Sequence, residues 1–146
     1  MNYDMDLAAQ LDAYLSDCRS KHFSWGQFDC VLFVADWIKH RTGRDPIADC
    51  RGRYQNDRGA YRTLYRATGR LQLVEAASVL LGPPLETPRL ACRGDVVAAA
   101  VREDNNPSLG LCAGTHAVFV GASGLCARPL LMIDCAWSLP CPQLSL

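Results

Sequence analysis

The run "CVLFVADWI", residues 30 to 38, holds one charged side chain, Asp36. A helix built from it has almost no polar face, so other elements must cover it on nearly every side. That places the segment at the centre of whatever the chain folds into. Gly43 supplies a terminator and Asp45-Pro46 a break, which predicts a helix from Cys30 to about Arg41.

The covering elements can be read on both sides of it. Leu7, Leu11, Tyr14, Leu15 and Cys18 fall on one face of a first helix, with Asp4 or Asp6 as its cap. A third helix is predicted over Asp57 to Thr68 and a fourth from about Leu71 to Leu81, ended by "GPP" at 82–84. Beyond it the pattern changes to short apolar runs: "DVVAAAV" (95–101), "LGLCA" (109–113), "HAVFV" (116–120) and "CARPLLMID" (126–134). Turn-forming clusters separate them, which predicts an antiparallel meander. Helices first and strands second give an α+β fold, with N-terminal helices packed on a small antiparallel C-terminal sheet. The 146 residues suit a single domain, 1–146, with a sizeable core.

Charge and cysteine content exclude several functions. Fifteen basic residues balance fifteen acidic ones, which argues against nucleic acid or an anionic membrane as the main partner. No apolar run approaches the ~20 residues needed to cross a bilayer, so no membrane insertion is expected. The start, "MNYDMDLAAQLDAYL", has acids where a signal peptide has a positive region, so no signal peptide is expected and the chain should fold in the cytoplasm. Eight cysteines occur, but none in a C-x-x-C pair and none with histidines at zinc-finger spacing. The spacing favours neither a metal nor a cluster, and no cofactor is expected. A reducing compartment disfavours disulfides, which leaves most of the thiols as small buried hydrophobes.

The chemistry centres on Asp29-Cys30, at the start of the central helix. A thiol attacks only as thiolate, and a helix N-terminus favours the anion through its free N–H groups and positive dipole end. Such a nucleophile also needs a base. His22 lies in the preceding loop. His40 is farther along the same helix, about 15 Å away. His116 heads a predicted strand, where an imidazole is held firmly, and Asp134 ends the next apolar run, where it could orient that imidazole. The competing reading makes Cys30 a packed structural thiol, His116 a satisfied core histidine and Asp134 a turn cap. Asp95, after Gly94 at a strand start, reads as a turn anchor.

Four segments together resemble the NlpC-type cysteine peptidases, the papain-like group that cuts bacterial cell-wall peptides. These are "WGQFDCVLFV", "RGDVVAAA", "HAVFVG" and "MIDCA", in the family's order from about His22 to Ala136. The resemblance implies a papain-like (NlpC-type) fold with Cys30 as nucleophile, His116 as base and Asp134 as third member. It implies an acyl-enzyme mechanism on peptidoglycan peptides that needs no metal. The middle segment "GRDPIADCRGRYQNDRGA" is similar to that of a phage and prophage branch encoded near tail genes. That branch implies phage tail proteins as partners and the virion tail as location, after synthesis in the host cytoplasm. The chain departs from the family at three points. Phe23 stands near the place of an oxyanion-binding Tyr, Val31-Leu32 replaces Ser-Gly, and Asp134 stands where His is commoner.

Two functions follow from the resemblance. One is a tail-borne peptidase of the cell wall. The other is a structural or assembly component of a tail tip or baseplate with a degenerate papain-like site. In the second, Arg58, Arg62, Arg66 and Arg70, spaced every fourth residue, or the Pro-rich end "LPCPQLSL" would bind neighbours.

Overall fold

The computed structural model describes residues 3–139, with side chains from Asp6 onward; Cys141 and nearly all of the Pro-rich end lie outside the described residues. Four helices, α1 (Tyr3–Cys18), α2 (Cys30–Thr42), α3 (Asp57–Thr68) and α4 (Leu73–Leu81), precede five strands. The strands are β1 (Val96–Ala99), β2 (Ser108–Cys112), β3 (His116–Gly121), β4 (Gly124–Pro129) and β5 (Cys135–Trp137). They form one antiparallel sheet in the order β4-β3-β2-β1-β5. The architecture is α+β.

Helix α2 is buried as its composition requires: Cys30, Leu32, Phe33, Val34, Ala35, Trp37 and Ile38 are all inaccessible. Each large apolar side chain among them contributes roughly 1.5–3 kcal/mol by leaving water. Trp37 adds direction, since its indole N–H donates to the Gly94 carbonyl at 2.9 Å and ties the far end of α2 to the approach to β1. The Tyr14 hydroxyl donates to the Phe33 carbonyl and joins α1 to α2. The indole of Trp137 donates to Ser78 Oγ at 3.2 Å and joins β5 to α4.

Strand alternation sorts the core into two faces. Val96, Ala98, Leu109, Leu111, Val118 and Val120 meet the helices. Val97, Ala99, Cys112, Ala117, Phe119 and Ala136 form a second cluster on the other face, with Ala91 and Ile133. Asp95 anchors the entry to β1. Its carboxylate accepts the Cys92 N–H at 2.8 Å and the Leu139 N–H at 3.3 Å, and burial pushes its pKa up against the pull of those two donors.

Three expectations need correcting. Asp4 and Asp6 lie within α1, which already begins at Tyr3, so neither is its cap. The run 126–134 is not one strand. Pro129, which has no N–H to give a ladder, closes β4, and Leu130–Met132 forms a 3-10 turn. The chain then returns as a separate strand, β5, on the far side of β1, so the meander covers only the first four strands. Finally, α4 begins at Leu73, which leaves Leu71 exposed.

Gly110 shows how closely β2 and β3 approach. A Cβ there would stand 2.4 Å from the Val118 carbonyl oxygen and 2.6 Å from the Phe119 ring. Backbone cannot yield as a flexible side chain does, so Gly110→Ala should destabilise by about 1–3 kcal/mol. Urea unfolding tests this, with a lower midpoint expected at an unchanged slope.

Candidate functional site

The local sequence around Cys30 is organised by its neighbour. Asp29 is only 1% exposed, and its extended backbone makes it the N-cap of α2. One carboxylate oxygen accepts the Leu32 N–H at 2.9 Å. The other accepts the Gly26 N–H at 3.0 Å and the Tyr54 hydroxyl at 2.7 Å. Three donors from three segments therefore converge on one buried carboxylate. Gly26 is required there twice over: its φ is +80°, and a Cβ would lie 2.1 Å from the Tyr54 carbonyl oxygen. Burial, followed by the hydrogen bond to the Asp29 carboxylate, raises the Tyr54 pKa and keeps the phenol protonated as a donor.

Cys30 begins α2 as expected, but its thiol is sealed, with 7% of the residue exposed. Burial pushes its pKa up to about 11, and the charge of Asp29 adds to the rise. The backbone N–H of Leu109 and the guanidinium of Arg102 pull the other way and are outweighed. No imidazole is among the groups acting most strongly on it. Helix-start stabilisation of a thiolate is thus overridden by desolvation.

The register of the sheet locates the other two predicted members. The Cys30 thiol faces Leu109 on β2, which lies level with Val120 of β3 beside the Gly110↔Phe119 pair. His116 stands at the opposite end of β3, about four residues or ~13 Å along the strand. A nucleophile and its base need to be within roughly 4 Å, so the structure does not bring His116 to Cys30. The His116 Nδ1 is paired instead with the neighbouring Thr115 hydroxyl at 3.1 Å. Asp134 is exposed beside β5, its N–H bonded to the Ala98 carbonyl. Strands β1 and β2 lie between β5 and β3, a gap of ~14 Å, so Asp134 does not orient His116. His22 is exposed, and His40 lies against Trp37 with ring centroids 5.8 Å apart.

The strand that faces Cys30 is β2, and its first residue is Ser108, which is buried. The resemblance assigns that place to "HAVFVG", which begins with a His. The signal for β2 was present in "SLGLCAG", which also runs from a polar residue through apolar ones to a Gly. Tyr54 was missed as well. Its contact with Asp29 spans 25 residues, and only the Gly-turn context of "RGRY" hints at it.

Around this centre lie a T-shaped pair of rings, Phe23 and Trp25, at 4.9 Å, and the Arg102 guanidinium 5.7 Å over the Trp25 ring. A small apolar cleft of about 30 Å³, room for little more than one water, runs along α2 past Val31, Ile47 and Leu109. The described residues contain no cluster of His, Cys, Asp and Glu fit to hold a metal ion. No helix among them is long and apolar enough to cross a membrane. The seven described cysteines are free thiols.

A family model described as a domain of unknown function, DUF6950, matches residues 4–139. The chain belongs to the DUF6950 family. No curated protein matches it. No solved structure matches it either. The DUF6950 match spans every element described above, from α1 to β5, and so takes in Asp29, Tyr54 and Cys30 together.

The raised pKa of Cys30 makes a labelling order. Cys92 is the exposed thiol among the seven and should react first with iodoacetamide near neutral pH. Cys30 should be among the slowest, gaining reactivity only as pH nears about 11. The folded thiol titrates above its unfolded value of ~8.5, so its contribution to stability is intact below that pH and declines above it. Time-resolved peptide mass spectrometry reads the order directly.

Proposed function

We propose that this DUF6950 domain is a papain-like (NlpC-type) module without hydrolytic activity, serving as a structural or assembly component of a phage tail. The observation that carries the reading is the sealed Cys30 thiol, held protonated and facing a strand headed by Ser108. A serine hydroxyl cannot accept the thiol proton at neutral pH, and among the described residues no imidazole acts strongly on Cys30, which supports a nucleophile position without a base. The Asp29 network supports the reading too, since it spends the acid next to Cys30 on capping α2 and holding two loops. In this reading "WGQFDC" is kept for architecture. Gly26 provides the close approach to Tyr54, Asp29 the cap, and Cys30 a small apolar plug under β2. The tail location and bacterial-cytoplasm synthesis rest on the resemblance in the middle segment.

The alternative, a peptidase of peptidoglycan peptides through Cys30, His116 and Asp134, requires a rearrangement that closes the ~13 Å along β3. Digestion of muropeptides separates the two. Wild type and Cys30→Ala should both leave the peptides uncut, and the two proteins should be equally folded, because one small thiol leaves little cavity. Cleavage by wild type that disappears in Cys30→Ala would overturn the non-hydrolytic reading.

A further inference from the structure

Helix α3 carries charge that its own molecule does not answer. Arg58, Arg62 and Arg66 are exposed at successive four-residue steps, and Arg70 follows just beyond the Gly69 cap. Three other arginines of the chain have partners. Arg51 bridges Asp36 at 2.7 Å and Asp45 at 2.5 Å, Arg102 meets Asp104 at 2.9 Å, and Arg41 bonds Gln10 and lies over Trp37. Among the described residues, Arg53, Arg58, Arg62 and Arg66 form no ion pair.

Three of these, Arg53, Arg58 and Arg62, line one open recess of about 360 Å³ with Tyr54 and Asn56, and no acidic side chain lines it. The helix start does not provide the binding donors. The Gly59 N–H is taken by Asn56 Oδ1 at 2.7 Å and the Arg58 N–H by Asp57 Oδ1 at 2.8 Å. Binding would therefore come from guanidinium forks, which fit carboxylates two bonds at a time.

We infer that the arginine-lined recess and the stripe of Arg58, Arg62 and Arg66 on α3 form a docking site for a short acidic segment of a partner protein. From Arg58 to Arg66 the stripe is ~12 Å long, the span of about four extended residues. Tyr65, 48% exposed on the same helix, offers an aromatic anchor beside the charges. Fifteen acidic residues balance the fifteen basic ones over the whole chain, which favours a short acidic segment over a long polyanion. The inference rests on the tail-component reading only for where the partner comes from. Its test involves no hydrolysis, so either can fail alone.

The test is fluorescence anisotropy with a labelled hexaglutamate peptide on the full chain. Saturable binding is expected at about 50 mM salt, weakening several-fold at about 200 mM. The double variant Arg58→Ala/Arg62→Ala should bind about fivefold to tenfold more weakly. Arg89→Ala, an exposed arginine on the 3-10 turn Pro88–Leu90, should bind as wild type does. Circular dichroism confirms that the variants fold, as expected for exposed positions. Absence of saturation, an equal loss in Arg89→Ala, or tighter binding of a thymidine oligonucleotide of matched charge overturns the inference. So does salt-sensitive self-association that the double variant abolishes, since the occupant would then be a second copy of the chain.

Discussion

Everything near the start of α2 depends on one buried carboxylate. Asp29 is removed from water and accepts hydrogen bonds from Gly26, Leu32 and Tyr54. A hydrogen bond to a charged group contributes about 1.5–3 kcal/mol, and a buried carboxylate stripped of its donors costs more than any one of them supplies. The three donors come from the loop before α2, from α2 itself and from the loop before α3. Asp29 therefore fixes where the central helix begins and which loops flank it. The packing of α2 on the sheet then proceeds from a defined origin, with Cys30 against Leu109 at one end and Trp37 against Gly94 at the other.

The same arrangement explains why the Cys30 pKa is raised. A helix N-terminus and a basic side chain both favour a thiolate, and both are present at Cys30. Their pull is limited to fractions of the cost of burying an anion, and here a carboxylate sits next to it in the chain. The balance falls to the protonated form. Chemistry that a motif suggests from residue types is thus decided by solvent access and by what lies across the sheet.

The sequence disclosed the fold more fully than the site, and particular residues show why. Helix α3 was legible to its ends because local signals set them: Asn56 caps it and Gly69 closes it in the left-handed conformation. Helix α2 was legible because its apolar character permits only burial. The split of 126–134 was less so, since "PLLMID" is apolar enough for a strand and only Pro129 marks the break. The site depends on long-range pairing, which local pattern does not encode. Which of two neighbouring apolar strands lies under Cys30 is a question of sheet order, and β2 rather than β3 takes the place. Tyr54 belongs to the same class, a side chain whose partner is known only once two loops meet.

The most direct test of this account is a double-mutant cycle between Asp29 and Tyr54, read by urea unfolding of wild type, Asp29→Ala, Tyr54→Phe and the double variant. If the buried carboxylate organises the region through the Tyr54 hydroxyl, the two changes should couple by about 1.5–3 kcal/mol, with the double variant losing clearly less than the sum. Effects that add to within about 0.5 kcal/mol would contradict it, because the hydroxyl and the carboxylate would then be acting independently.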